Sequence, residues 1–134
     1  MKKKILFLCT GNSCRSQMAE ALAKKMLSKK LHIESAGTEA HGLNPYTVKT
    51  MNEIGIDISN NKSKRIKTED LNKFNLIITL CGDARDKCLV IDSELDHIHW
   101  DIPDPANCKG TEEEIREKYS KTRELIFNYI KTLK

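Results

Sequence analysis

The sequence predicts an α/β fold of three layers, with a four-stranded parallel sheet flanked by helices. Short apolar runs, typical of strands buried on both faces, alternate with segments of helical periodicity. Polar turns separate these segments, and no internal repeat or low-complexity tract interrupts the alternation. A length of 134 residues is that of one ordinary domain, so we expect residues 1–134 to form a single domain.

The first half of the chain contains two predicted strands and two predicted helices. The apolar runs Lys4–Leu8 and Leu31–Ser35 are the predicted strands. A helix is predicted from Ser16, because apolar residues recur there at three- and four-residue spacing. Pro45 is typical of the first position of a second helix, which Gly55 would end. The apolar positions of the first helix are Met18, Ala19, Leu22, Ala23, Met26 and Leu27.

The second half contains two more predicted strands and a long helix. Apolar residues within Phe74–Leu80 predict the third strand, and Leu95–Trp100 predicts a weaker fourth. Thr68 is expected to cap a short turn. Thr111 and Glu114 have the spacing of a capping box, which predicts that the last helix begins there. Its expected apolar stripe is Ile115, Tyr119, Thr122, Leu125, Ile126 and Tyr129.

The composition argues against nucleic-acid binding and against membrane insertion. The chain has 23 Lys and Arg against 19 Asp and Glu, a net charge of +4, with the basic residues spread among acidic ones. Three Phe, three Tyr and one Trp offer no evident platform for stacking bases. No window holds the about 18 apolar residues that suggest a transmembrane helix. We expect a monomer that binds neither nucleic acid nor membrane.

The N-terminus and the cysteines indicate a cytoplasmic protein. The basic start is followed by only four apolar residues, Ile5–Leu8, which is shorter than the apolar region of a signal peptide. The five cysteines are an odd number without a Cys-x-x-Cys pair, so neither a disulfide framework nor a zinc site is predicted. We expect no metal and no cofactor. The thiols are then either small hydrophobic groups or reactive groups in a reducing compartment.

The strongest functional signal is the Cys-x5-Arg-Ser motif that runs from Cys9 to Ser16, between a predicted strand and a predicted helix. Backbone amides of such a turn and of the helix start are free to bind an anion. Gly11 permits a backbone geometry that other residues resist, and the guanidinium of Arg15 can hold two oxygens of a tetrahedral anion. The predicted oxyanion-binding residues are Thr10, Gly11, Asn12, Ser13, Cys14 and Arg15.

Cys9 lies in the same positive field as the expected anion. The helix N-terminus, the guanidinium and the hydroxyl of Ser13 or Ser16 all favour its thiolate, so its pKa should fall well below that of a free thiol. We therefore predict that Cys9 is a nucleophile; the alternative is an inert buried thiol in a turn. Cys14 is expected to be structural. Asp104, held between two prolines after the fourth predicted strand, suits a general acid, although a solvated loop carboxylate is the alternative.

The motif from Cys9 to Ser16, with the Asp-Pro pair at Asp104, resembles the low-molecular-weight protein tyrosine phosphatases. The resemblance implies that Cys9 is the nucleophile, Arg15 binds the oxyanion, Ser16 stabilises the thiolate and Asp104 is the general acid of a single catalytic domain. Those phosphatases usually place aromatic residues after Asp-Pro, where this chain has Ala106 and then Asn.

A larger part of the chain is similar to the thioredoxin-coupled arsenate reductase branch of the same superfamily. This resemblance implies that Cys9 attacks arsenate, that Cys81 then attacks the sulfur of Cys9 and releases arsenite, and that Cys88 attacks Cys81. Thioredoxin would reduce the resulting disulfide, and phosphate or sulfate would compete with arsenate. The stretches that carry the resemblance are Cys9–Glu20, Ser35–Gly37, His41–Pro45, Gly55–Ser59 and Thr79–Asp83, with Cys88.

The relay requires the segment between its second and third thiols to change shape. If residues 81–88 were helical, the Cα atoms of Cys81 and Cys88 would lie about 10.5 Å apart, whereas a disulfide needs about 4.4–6.8 Å. We therefore expect this segment to open on oxidation. Two other functions remain open at this point, a phosphatase acting on phosphotyrosine or a small phosphoester, and a non-catalytic redox sensor.

A cation site is suggested by the resemblance but is not predicted to be occupied. Glu20, with Asn12 and Ser35, resembles a potassium site of the reductase branch. Where that site has an acid near Ser63, this chain has Lys64. A fixed ammonium can replace the ion, so we predict no potassium.

Overall fold

A computed structural model describes residues 3–27, 29–80 and 96–134. Within these residues the sheet has four parallel strands in the order β2-β1-β3-β4. This arrangement confirms the predicted parallel sheet. Predictions about Cys81, Cys88 and the segment between them lie outside the described residues. The strands are β1 (Lys3–Cys9), β2 (Leu31–Gly37), β3 (Leu76–Thr79) and β4 (His97–His99).

In the described part of the chain, three α-helices accompany the sheet, α1 (Arg15–Met26), α2 (Pro45–Asn52) and α3 (Glu112–Lys131). Successive residues of β1 point to opposite faces, as strand geometry requires. Ile5 and Phe7 belong to the larger core with residues of α1 and α3, and Leu6 belongs to a smaller core on the other face that includes Leu71. None of the described helices is long and apolar enough to cross a membrane. Two 3-10 helices, Thr68–Lys73 and Pro105–Asn107, complete the described elements.

Several element ends differ from the predictions because neighbouring segments decide them. β1 and β2 continue to a pair formed by Cys9 and Gly37, beyond their apolar runs. α2 ends at Asn52, and Gly55, with φ of 80°, lies in the turn that follows. Thr68 was predicted as a cap and is instead the first residue of a 3-10 helix without a side-chain cap.

The capping box of α3 is confirmed, but one position of its predicted apolar stripe is wrong. The Thr111 hydroxyl accepts from the Glu114 amide, and the Glu114 carboxylate accepts from the Thr111 amide. Leu125 is 37% exposed, because it lies about 100° around the helix from the fully buried Ile126. The buried positions of the helix are Tyr119, Thr122, Ile126 and Ile130.

A cluster of polar contacts joins the end of α2 to α3. The Glu53 carboxylate accepts hydrogen bonds from Arg123 (3.2 Å), Ser120 (3.3 Å) and Arg116 (3.5 Å). Burial by itself raises the pKa of this carboxyl, but the three donors outweigh it, so the pKa of Glu53 is lowered. The ionised carboxylate is therefore favoured in the folded protein.

This lowered pKa predicts a pH-dependent contribution to stability. The contribution is present above the unfolded-state pKa and is lost as the pH falls through the folded-state pKa. We expect Glu53→Gln to lower the free energy of unfolding at neutral pH by about 0.5 kcal/mol, since water screens such exposed pairs. The difference should shrink below about pH 4. Urea unfolding across this pH range measures it, and a constant difference would contradict the electrostatic origin.

Candidate active site

The loop between β1 and α1 is held by the segment that follows β2. We call this segment, residues 38–44, the strap. Its amides donate to carbonyls of the loop, and in a planar trans peptide the next N–H points opposite to the carbonyl. The loop amides that follow these carbonyls are therefore directed away from the strap. The pairs are Thr38 to Cys9 (3.2 Å), Glu39 to Thr10 (2.9 Å), His41 to Gly11 (3.0 Å) and Asn44 to Ser13 (3.1 Å).

Gly11 makes room for a close side chain, whereas the sequence suggested a special backbone conformation. Its φ is not in the left-handed region. A Cβ at Gly11 would lie 2.5 Å from Nδ1 of His41, so a larger residue at position 11 would require the His41 side chain to move. The residue of this loop with a left-handed backbone is Asn12, with φ of 48°.

Cys9 and Ser16 form the centre of the site. Both side chains are buried, and Cys9 Sγ lies 2.9 Å from Ser16 Oγ. Asn12 Nδ2 donates to the same hydroxyl at 2.7 Å. When Cys9 is a thiolate, the Ser16 hydroxyl can only donate to it, and the bond from Asn12 polarises that donor. The site is therefore arranged to stabilise a negative charge on this sulfur.

The start of α1 leaves its amides available to an anion. The N-cap residue is Cys14, which makes no side-chain capping bond, and the first turn of the helix has no acidic residue. Helix starts of this kind bind anions because their first amides have no intrahelical acceptor. The predicted oxyanion loop, residues 10–15, leads directly into this helix start.

Cys14 differs from Cys9 in its environment. Burial raises the pKa of the Cys14 thiol to about 12, and the nearby Thr47 side chain only partly opposes this. The thiol is therefore neutral at physiological pH, as suits the structural role expected for it.

The raised pKa of Cys14 predicts that an alkylating reagent distinguishes Cys9 from Cys14. At pH 8, only roughly one Cys14 in 10⁴ is ionised, so we expect iodoacetamide to label Cys9 and to leave Cys14 unlabelled. Both lie in the tryptic peptide Ile5–Arg15, where fragmentation mass spectrometry separates them. Denatured protein provides the control, since both thiols should then react. Equal labelling of the two thiols in folded protein would contradict the assignment.

Arg15 and Asp104 meet at the same edge of the sheet. Arg15 is buried; its Nη1 donates to the Ile102 carbonyl at 3.0 Å, and its Nη2 lies 3.4 Å from Asp104 Oδ2. Arg15 Nε is buried and has no hydrogen-bond partner among the described residues. Buried donors are nearly always paired, so this atom is suited to donate to a ligand. Asp104 also accepts from the Ala106 amide at 2.9 Å, which fixes its orientation.

The cation beside Glu20 is Lys24, not the Lys64 that the sequence suggested. Lys24 Nζ lies 2.5 Å from the Glu20 carboxylate, which also accepts a hydrogen bond from Ser35. Lys64 Nζ lies 3.9 Å from Glu34 instead. Lys24 lies one helical turn after Glu20, so the two side chains are neighbours on the same helix face. This pairing takes the place that the sequence suggested for Lys64. Among the described residues, no group of three or more His, Cys, Asp or Glu could hold a metal ion.

The structure thus brings together Cys9, Arg15, Ser16 and Asp104, while Cys81 and Cys88 lie outside the described residues. Sequence reasoning missed Gln17, whose side chain is fully buried against Asn12. The signal available in the sequence was a glutamine next to the apolar positions of the predicted helix. Sequence reasoning also missed the contacts of the strap with the loop, although the stretch His41–Pro45 was part of the resemblance.

Known proteins resemble this chain over nearly its full length. The family model described as low molecular weight phosphotyrosine protein phosphatase matches residues 4–134. The arsenate reductase of Bacillus subtilis (strain 168) is 52% identical over 132 residues, which cover 98% of this chain and 95% of that protein. The arsenate reductase of Oceanobacillus iheyensis is 50% identical over 130 residues, 97% and 94% of the two chains.

A solved structure extends the likeness to three dimensions. It is described as an arsenate reductase in the phosphate binding state, and it is 32% identical with a TM-score of 0.71. The match covers 98% of this chain and 99% of that chain. The chain therefore belongs to the low molecular weight phosphotyrosine protein phosphatase family.

Proposed function

We propose that this protein is a cytoplasmic arsenate reductase that converts arsenate to arsenite through a three-cysteine relay regenerated by thioredoxin. The observation that carries the proposal is a buried thiol, Cys9, 2.9 Å from the Ser16 hydroxyl at the start of α1. Identities of about 50% with proteins named arsenate reductase support arsenate as the substrate.

The first task of the site is to bind a tetrahedral oxyanion. The loop amides of residues 10–14, the start of α1 and the unpartnered Nε of Arg15 are its donors. Phosphate and sulfate have the same shape and charge as arsenate, so both compete for the loop. A related structure in a phosphate binding state supports this competition. No metal or cofactor takes part in the proposed reaction.

The first chemical step forms a bond between sulfur and arsenic. The Cys9 thiolate attacks arsenic(V), and one hydroxyl group of the protonated arsenate leaves as water after taking a second proton from Asp104. Asp104 is 26% exposed and can regain a proton from solvent. Its ion pair with Arg15 also places it beside the anion-binding donors.

The next steps move the oxidation to a disulfide. The Cys81 thiolate attacks Cys9 Sγ, the sulfur–arsenic bond breaks, and its electron pair leaves with arsenic as arsenite. Cys88 then attacks Cys81, which frees Cys9 as a thiolate and leaves a Cys81–Cys88 disulfide. Thioredoxin reduces this disulfide by thiol exchange. The residues for these steps come from the sequence resemblance.

The proposal is tested by arsenate-dependent oxidation of NADPH in the presence of thioredoxin and thioredoxin reductase. We expect one NADPH per arsenite formed and little activity when glutathione and glutaredoxin replace thioredoxin. Oxidation of NADPH without arsenite formation would contradict the proposal. Binding of arsenate without consumption of NADPH would also contradict it and would indicate a sensor.

The alternative is a phosphatase, which the family name favours. The bound oxyanion would be the same, so we expect weak hydrolysis of p-nitrophenyl phosphate. Ala106 is exposed after Asp104-Pro105 and offers no ring surface to phosphotyrosine. Fast hydrolysis with no arsenate reduction would assign the protein to this alternative.

A further inference from the structure

The buried amide of Gln17 contacts both oxygens of Asn12. Gln17 is fully buried in the first turn of α1. Its Nε2 lies 3.2 Å from the Asn12 carbonyl oxygen, 3.1 Å from Asn12 Oδ1 and 3.3 Å from the Lys62 carbonyl oxygen. Its Oε1 accepts from Asn61 Nδ2 at 3.2 Å. One side chain therefore links the anion-binding loop to a segment about 50 residues away.

The segment of residues 61–64 contacts the same two oxygens, and we call it the clamp. Ser63 Oγ donates to the Asn12 carbonyl oxygen at 2.8 Å, and the Lys64 amide donates to Asn12 Oδ1 at 2.8 Å. Each oxygen of Asn12 thus receives donors from both Gln17 and the clamp. Asn12 has a left-handed backbone that residues other than glycine adopt at a cost. Those contacts hold it in that conformation.

The directions of two hydrogen-bond donors, the Ser13 amide and Asn12 Nδ2, depend on the conformation of Asn12. The carbonyl of Asn12 faces Gln17 and the clamp. The Ser13 amide belongs to the same planar peptide and therefore points away from them. Because Oδ1 is held, Nδ2 is directed at Ser16 Oγ and Ser35 Oγ, at 2.7 Å and 3.0 Å. Ser16 in turn contacts Cys9.

We propose that Gln17 is a positioning residue of the anion-binding loop: with the clamp it orients the Asn12–Ser13 peptide toward the bound oxyanion and the Asn12 amide toward Ser16. This inference rests on the proposed function, since it assumes that the loop binds an oxyanion. The hydrogen bonds of Gln17 go to Asn12 and to the clamp, so in this proposal it acts through Asn12.

A glutamine is suited to this position for a chemical reason. Nε2 supplies two N–H donors to three acceptor oxygens, while Oε1 accepts from Asn61. An ionised glutamate would place oxygen against those acceptors, and a methionine of similar length would leave buried oxygens with fewer donors. Both substitutions keep the length of the side chain, so they change its hydrogen bonds more than its packing.

The test compares Gln17→Met with the wild-type protein, and its first readout does not require reductase activity. Inorganic phosphate is titrated while iodoacetamide labels Cys9, and mass spectrometry measures the protection. We expect the phosphate concentration that halves the labelling to rise about tenfold or more, because Gln17→Met removes both N–H donors from buried acceptor oxygens. The midpoint of Cys9 labelling against pH should also rise, since Ser16 is held less firmly.

A steady-state assay gives a second readout. The KM for arsenate should rise more than kcat falls, because the lost contacts orient donors that bind substrate and transition state alike. Ser63→Ala, which removes one donor to the same carbonyl and keeps Gln17, should show a smaller change in the same direction. It also serves as the test if Gln17→Met does not fold.

Leu71→Ala is the control for a loss of stability alone. Leu71 is buried in the core on the other face of the sheet. This variant should lower the melting temperature and leave phosphate protection and the labelling midpoint unchanged. A Gln17→Met or Ser63→Ala protein that behaves like Leu71→Ala overturns the positioning role. If phosphate fails to protect Cys9 in the wild-type protein, the proposed function itself is overturned.

Discussion

Substitution of Cys88 by Ser is expected to stop the protein after one turnover. In the proposed relay, Cys88 acts only after arsenite has left, so the variant should release about one arsenite per chain and retain a Cys9–Cys81 disulfide. Cys81→Ser should release none, because nothing then attacks the sulfur bound to arsenic. Rapid quenching without thioredoxin, followed by arsenite quantification and mass spectrometry of the non-reduced protein, measures both results.

Cys108→Ser is the matched control for these substitutions. Cys108 is partly buried, with Sγ 3.8 Å from the Lys109 carbonyl oxygen, and the proposed relay does not use it. This variant should keep multiple turnovers with thioredoxin. The relay is wrong if Cys81→Ser and Cys88→Ser both turn over arsenate as the control does. Hydrolysis of p-nitrophenyl phosphate, for which Cys9 is the only cysteine needed, should survive in all three variants.

Replacement of Arg15 by Lys is expected to reduce kcat/KM for arsenate by about 10²–10³-fold, the cost of losing one preorganised oxyanion donor. Two nitrogens of the guanidinium already hold the Ile102 carbonyl and Asp104, and Nε remains for the ligand. A single ammonium cannot occupy these three positions at once. Steady-state kinetics with arsenate and phosphate protection of Cys9 measure the loss.

Arg123→Lys is the control for the loss of a largely buried arginine. The Arg123 side chain is 11% exposed, and its Nη1 donates to the Thr50 carbonyl at 2.7 Å. Because these contacts join α2 to α3, the variant should lose stability and keep its kinetic constants. Activity of Arg15→Lys within threefold of wild type would show that the guanidinium does not bind the oxyanion.

Local sequence patterns predicted the elements that hold the reactive groups. The apolar run before Cys9, the turn and the amphipathic helix after Ser16 each follow from residues close in the chain. The capping box at Thr111 was predicted for the same reason. Where the predictions failed, as at Thr68, Leu125 and the ends of β1 and β2, the outcome depended on a neighbouring strand or on the exact angular position of a side chain.

The site itself was predicted only in part. Cys9, Arg15, Ser16 and Asp104 could be named because one motif and one Asp-Pro pair marked them. Gln17 carried a weaker signal, a lone amide among apolar residues. Its importance depends on oxygens of the clamp, which is distant in the sequence. Pairing between Lys24 and Glu20 follows from helical spacing, whereas the resemblance pointed to Lys64.

The amino-acid sequence by itself determined the order of the described strands and helices along the chain and the position of the loop between Cys9 and Arg15, because hydrophobic periodicity and turn residues act over a few positions. Only the tertiary structure decided which way the peptides of that loop face. The strap and the clamp reach the loop from distant parts of the chain and bind its carbonyl oxygens. Orientation of a peptide depends on the partners of its carbonyl, and those partners become neighbours only after the sheet has formed.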